Sequence, residues 1–205
     1  MYLIAINKKI KVQSDNSKIK EIFKDLIFTK DETKIIESVF HKVIAKKGTI
    51  LINTGAITDS QYYILEGCLR SYHIDVHGKE YTVQFGIKDW WISDFTAFFS
   101  TEKAIMTIEV IQDAILYKIS KQDRDQLYSQ IHTIDRFFRI KLEKAFASFQ
   151  KRILSNLSKS AKERYTDFIN TYPNIEKSIK NYHIASYLGI TTESLSRIRK
   201  EISNS

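Results

Sequence analysis

The sequence predicts an α+β chain: an N-terminal antiparallel β-roll, a long central dimerisation helix and a C-terminal helix-turn-helix. Three observations carry this expectation. Five of the six glycines (Gly48, Gly55, Gly67, Gly78 and Gly86) fall in one 39-residue window of short β-branched and aromatic runs. Residues 131–157 contain neither glycine nor proline and repeat apolar residues by threes and fours. Residues 181–202 hold two short helical phrases hinged at Gly189 and loaded with Arg and Lys. The expected division is a β-roll domain with flanking helices over residues 1–129, a dimerisation helix and hinge over 130–157, and a helix-turn-helix domain over 158–205.

Helical spacing opens the chain. Ile19, Ile22, Phe23, Leu26 and Ile27, then Ile35, Ile36 and Val39, mark helix across residues 17–39, with a break near Thr29 to Asp31. From His41 the period changes to that of strands: "VIAKKGTILINTG", "QYYILEG", "CLRSYHI" and "KEYTVQFG". Gly78 can take positive φ within "DVHGKE", which makes Cys68 to Phe85 a hairpin. A short helical patch near Asp94 to Ser100 precedes two further strands, "IMTIEVI" and "AILYKI". Six or more short strands at this spacing argue a closed or rolled antiparallel domain.

Ser120 is placed to cap the next helix, and the long helix over Ile131 to Leu157 follows. Ile131, Ile134, Phe138, Leu142, Ala145 and Phe149 form one apolar stripe, and Phe137, Phe146 and Ile153 add a second flank. Two stripes imply two partners: the β domain on one side and a second copy of the chain, through Ile131 to Phe149, on the other. "LSNLSKS" is small and polar enough to act as a hinge. Ser160 with Glu163 makes a capping box, and Tyr165, Phe168 and Ile169 supply an apolar face that stops before Pro173.

Charge and cysteine content narrow the function. The formal charge of +8 is uneven: residues 1–120 carry 16 Lys and Arg against 15 Asp and Glu, whereas residues 121–205 carry 16 against 9. A basic helical half suits a polyanionic partner. A single cysteine, Cys68, excludes an internal disulfide and any protein-only Cys-ligated iron–sulfur or zinc site within one chain, and no cofactor or metal is expected. With no cleavable leader and no run of 18 apolar residues, the chain reads as a soluble, cytoplasmic protein without a membrane partner.

The C-terminal phrases can be read position by position. Ile184, Leu188, Ile190, Leu195 and Ile198 are apolar, Ala185 is small where two helices must cross closely, and Gly189 can adopt positive φ to end the first helix. Thr191 caps the second helix and Glu193 sits in its first turn. That is a helix-turn-helix, whose second helix would present Thr192, Glu193, Ser196, Arg197 and Lys200. These side chains carry the donors and acceptors that base edges and phosphates require, so Thr191, Thr192, Glu193, Ser196, Arg197 and Lys200 are the candidate DNA-binding residues and double-stranded DNA the expected partner.

"HIASYLGITTESLSRIRKEI" resembles the C-terminal motif of bacterial Crp/Fnr-type transcription regulators. "YYILEGCLRSYHIDVHGKE" resembles the paired strands of their cyclic-nucleotide-binding-like β-roll, a double-stranded β-helix, and "ERY" at Glu163 to Tyr165 sits where that family begins its DNA-binding domain. The resemblance runs over roughly residues 15–203. It implies a homodimer joined along the central helix, a sensor β-roll, two helix-turn-helix units and RNA polymerase as a further partner. Thr192, Glu193 and Arg197 match the residues such regulators use on DNA.

Two departures from that pattern stand out. Members that bind cyclic nucleotides carry Gly-Glu at the start of a short helix and Arg-Ser or Arg-Ala soon after. Here the stretch is "WWISDFTAFFSTEKAIMTIEV", with no Gly, no Arg and an acidic Asp94, so neither cAMP nor cGMP is expected to bind and the effector small molecule is unknown. Lys103 is a candidate anion contact or a plain loop lysine, and Trp90, Trp91, Phe95, Phe98 and Phe99 could line an apolar pocket or pack as core. "TYPNIEKSIK" lacks the glycine of a hairpin wing. Readings from other classes are a cupin-like metal enzyme using His73, His77 and Glu80, a haem sensor drawing on the same His and Cys68, and a small-molecule-binding β-roll protein that does not regulate genes.

Overall fold

β-Branched and aromatic runs between His41 and Ser120 pair into one antiparallel sheet that rolls on itself, as alternating burial and glycine-led turns require. The structure is a computed structural model and describes residues 10–13, 19–173, 175–176 and 178–204, with side chains from residue 20 onward. The strands are β1 (Ile10–Gln13), β2 (His41–Ala45), β3 (Ile50–Ile52), β4 (Ser60–Ile74), β5 (Glu80–Gly86), β6 (Trp91–Ile92) and β7 (Thr107–Ser120). Their order is β1-β2-β7-β4-β5, with β3 paired to β7 and β6 to β4.

Two strands are longer than the sequence suggests. "QYYILEG" and "CLRSYHI" form a single strand, β4, and "IMTIEVI" and "AILYKI" form a single strand, β7. The two pair from Ser60↔Ser120 to Tyr72↔Thr107, and the register shifts between Ile64 and Leu69. Gly67 lies in that bulge at φ +94, and a Cβ there would stand 2.4 Å from the Asp113 carbonyl oxygen. Glycine therefore marks a bulge here, where two backbones meet, and not a turn. Gly78 does turn the chain, at φ +79 between β4 and β5.

Alternate residues of these strands fill the interior. Ile64, Leu69, Ile92, Ile108, Val110 and Leu116 are wholly buried and form the centre of the roll. An aromatic group covers one side, with Phe40 against Phe23, Trp91 and Tyr117, and Tyr63 against Trp91.

Thr29, Asp94, Ser120, Ser160 and Thr191 each start a helix with a side-chain cap. α1 (Ile19–Ile22) is a single turn, and Thr29 then caps α2 (Lys30–Val39) in a capping box with Glu32, which explains the break in the helical pattern. α3 (Phe95–Ser100) follows β6, and Ser120 caps α4 (Lys121–Gln130). α5 (His132–Ser158) is the long helix, and α6 (Ala161–Thr171) starts from the Ser160–Glu163 capping box. α7 (Asn181–Leu188) and α8 (Thr192–Ser203) complete the chain. The described residues between α6 and α7 form turns and no strand.

The chain divides into two compact units, and the division does not follow chain order. One comprises Met1–His73 and Val83–Arg136, the other Ile74–Thr82 and Phe137–Ser205. The tip of the β4–β5 hairpin is thus grouped with the C-terminal helices.

The structure corrects the stripe on α5. Ile131, Ile134 and Phe138 are buried within the chain itself, so they cannot face a second copy. The exposed apolar residues lie further along: Leu142, Phe146 (62%), Phe149, Ile153 (58%), Leu154 and Leu157. Residues 141–151 are exposed all the way round the helix. Leu142, Phe146, Phe149 and Ile153 step by four, three and four, the seam spacing of a coiled coil.

Candidate nucleic-acid interface and ligand cassette

Gly189 ends α7 at φ 66, and its N–H and that of Ile190 return to carbonyls of the last turn, with Ile190 N–H to Ala185 O at 3.0 Å. Burial of Ile184, Ala185, Leu188, Leu195 and Ile198 locks α7 against α8, with Tyr165 and Phe168 of α6 behind them. These apolar contacts fix which side of α8 faces outward.

Six sequence-picked residues can now be placed. Thr191 is committed to structure: its hydroxyl caps α8 by accepting from Ser194 N–H at 3.2 Å. Thr192 is half-buried and its hydroxyl donates to Glu193 Oε1 at 3.0 Å. Glu193 is exposed, and its own backbone N–H together with the hydroxyls of Thr191 and Thr192 holds its carboxyl below the ordinary range, so it stays an acceptor. Ser196 is exposed and bonded back to Thr192 O at 2.9 Å. Arg197 and Lys200 are exposed. The geometry brings Glu193, Ser196, Arg197 and Lys200 onto the outer side of one helix.

Sequence reasoning missed the side chains that hold this helix. Arg199 turns inward: its Nη1 donates to Asn181 Oδ1 at 2.7 Å and its Nε to the Tyr165 hydroxyl at 3.2 Å, and it pairs with Glu176 at 2.9 Å. The Tyr165 hydroxyl in turn bonds Glu176. These residues span three helices and a turn, so no local pattern announces them. Ser186 of α7 was missed too. Its hydroxyl accepts from Thr82 N–H at 2.9 Å and donates to Glu80 O at 2.7 Å, while Arg152 Nη2 donates to Thr82 O at 3.1 Å. Residues two apart on a strand point the same way, so α7 and α5 together satisfy one edge of β5.

The stretch 90–110 forms a second candidate site. Asp94 caps α3, and its fully buried carboxylate gathers three backbone donors: Ala97 N–H at 3.2 Å on Oδ1, and Ile105 N–H at 2.7 Å and Met106 N–H at 2.9 Å on Oδ2. The aromatic residues pack as core more than they line a pocket. Phe98 is wholly buried against Phe95 and Phe99, with the Arg124 guanidinium 4.7 Å from its ring. Lys103 is exposed and bridges to Ile57 through its backbone.

Of the metal-enzyme residues, the His73 ring is otherwise engaged, with Nδ1 2.9 Å from Ile105 O, and His77 is held at the hairpin turn through its backbone N–H, which donates to Asp75 Oδ1 at 2.9 Å. Burial pushes the Cys68 thiol up to about 12, far from a ready thiolate. Among the described residues no three His, Cys, Asp or Glu side chains gather as a metal site would need, and no helix is long and apolar enough to cross a membrane.

Residues 42–131 match the family model of the cyclic nucleotide-binding domain. No curated protein matches the chain. Among solved structures, FixK2 from Bradyrhizobium japonicum superposes with a TM-score of 0.70 at 16% identity, covering 81% of this chain and 85% of that one. A transcriptional regulator of the Crp/Fnr family from Eubacterium rectale gives 0.67 at 21% identity over 89% and 86% of the two chains. A CooA variant from Carboxydothermus hydrogenoformans gives 0.68 at 13% identity over 95% and 87%.

A cyclic nucleotide brings a negative phosphate, and the residues present do not fit it. Residues 90–110 supply no arginine, and the Ile105 and Met106 N–H groups already hold the Asp94 carboxylate. A second anion there would have to compete with the Asp94 carboxylate for the same backbone donors. Residues 42–131 thus match a cyclic nucleotide-binding-type domain, in a chain with the fold of the Crp/Fnr-type regulators.

Proposed function

We propose that the protein is a homodimeric, sequence-specific DNA-binding transcription regulator that does not respond to cAMP. The observation that carries this reading is the outer side of α8, where Glu193, Ser196, Arg197 and Lys200 stand exposed on a helix whose opposite side is packed into a helix-turn-helix. Arg197 suits a guanine edge, Glu193 a cytosine amino group, and Lys200 a phosphate. The net charge of residues 121–205 supports the same partner. The second copy docks along the exposed seam of α5, which gives two recognition helices and hence a pseudo-palindromic operator with half-sites about one helical turn apart. RNA polymerase is the further partner of such a regulator.

Selection of bound fragments from the source genome, followed by competition binding, tests the proposal. Arg197→Ala is expected to cost about 1–3 kcal/mol per contacted base and to relax preference at that base. Lys200→Ala is expected to weaken all sequences alike and lower the salt slope by about one unit. If Arg197→Ala and Glu193→Ala both leave the ratio of specific to random DNA affinity unchanged, α8 is not the reader.

A further inference from the structure

Consecutive backbone N–H groups that converge on one point make a seat for an anion, because each adds a partial positive charge and none can move away. Ile105 and Met106 provide such a pair just before β7, and both donate to the same oxygen of Asp94. The other carboxylate oxygen takes Ala97 N–H from α3. One buried side chain therefore joins the segment that leaves β6 to the segment that enters β7. No described cation lies against it: its partners are all main-chain amides.

We infer that Asp94 is a built-in ligand. Its carboxylate fills the anion seat of the cassette, ties α3 to the start of β7, and holds this part of the roll in the arrangement that an external anion would otherwise have to create. The cassette is then closed in every molecule, and DNA binding by the dimer proceeds without an effector at this place; that last step rests on the regulator reading above. The inference also explains Thr101, which ends α3 at φ 62, a backbone conformation that costs energy outside glycine. The loop is held in it from both ends, by α3 and by the Asp94 bonds to Ile105 and Met106.

The test is rescue by a small carboxylate. Full-length wild type, Asp94→Ala and Asp94→Asn are melted in sodium chloride and in sodium formate at equal ionic strength. Wild type is expected to melt at the same temperature in both salts. Asp94→Ala is expected to melt at least about 5 °C lower in chloride and to regain a good part of that loss in formate, because formate can occupy the space left by the side chain. Asp94→Asn keeps the volume but turns donors toward donors, so it is expected to be destabilised and not rescued. If Asp94→Ala does not fold in chloride, the readout becomes its refolding yield in formate against chloride, and equal failure in both overturns the inference. Equal formate shifts in wild type and Asp94→Ala, or an Asp94→Ala variant as stable as wild type, overturn it as well. These readouts involve no DNA, so a failure of the regulator reading would appear separately, as absent DNA affinity in the wild type.

Discussion

Placing glutamate at both Phe146 and Ile153 should separate the proposed dimer without unfolding the chain. Leu142, Phe146, Phe149, Ile153, Leu154 and Leu157 together expose the equivalent of about three and a half whole side chains. At about 1.5–3 kcal/mol for each side chain fully buried, covering them stabilises association by about 5–10 kcal/mol per protomer. Two protomers supply about 10–20 kcal/mol against an association cost of about 4–15 kcal/mol. Phe146 and Ile153 account for about a third of this, so the double variant loses about 4–7 kcal/mol per dimer, before the cost of pressing four carboxylates into an apolar seam. That is a rise of at least about a thousandfold in the dimer dissociation constant. Sedimentation velocity over a range of protein concentrations reads the change, and circular dichroism checks that the helices persist. Phe138→Ala is the contrast. That ring is buried within its own chain, so its loss should cost about 3–5 kcal/mol of folding stability and leave the seam in place. A Phe146/Ile153 double variant that stays dimeric at the same concentrations, with its helices intact, refutes the seam.

Two further outcomes follow from the backbone and from a cap. Gly67→Ala should lose about 3 kcal/mol or more in chemical denaturation, since φ is +94 and the new Cβ meets Asp113 O at 2.4 Å and Ala114 Cα at 2.8 Å, whereas Gly78→Ala, at φ +79 in open space, should lose only about 1 kcal/mol. The Glu163 carboxyl is held below its ordinary 4.5, chiefly by the Ser160 hydroxyl and backbone N–H. Its folded pKa is depressed, so the capping box stabilises α6 fully above that ordinary value and loses its effect as pH falls through the lower folded value. The protection factors of the amides at the start of α6, corrected for the intrinsic pH dependence of exchange, should fall over that window in wild type, and those of Glu163→Gln should not.

The helix-turn-helix was legible because its constraints are local. Ala185, Gly189 and Thr191 each answer a requirement set within four residues, and all three sit where the pattern puts them. The capping box at Ser160 was legible for the same reason, whereas at Thr29 only the break in the pattern was read. What the sequence hid depends on distance. Gly67 reads as a turn until the backbone of Asp113 and Ala114 is seen against it, 46 residues away or more. Apolar periodicity on α5 shows that two faces exist but cannot say where one ends, because Phe138 and Phe146 look alike in a string and differ only in what covers them. Asp94 before "FTAFFS" is readable as an N-cap, yet its bonds to Ile105 and Met106 need the loop to return.

The way Ser186 and Arg152 close the edge of β5 bears on how portable the C-terminal helices are. Residues 159–205 look like a cassette that could be cut out and grafted onto another sensor. Removing them, however, would strip Glu80 O and Thr82 N–H of their hydroxyl partner, and the transplanted α7 would carry a serine with nothing to grip. A chimera that keeps the Ile74–Thr82 tip and α5 together with the helices carries its own socket; one that joins at residue 159 does not. Recombination between relatives of this chain should for that reason favour junctions that leave the hairpin tip and α7 of common descent, and swaps that separate them should survive only where position 186 changes as well.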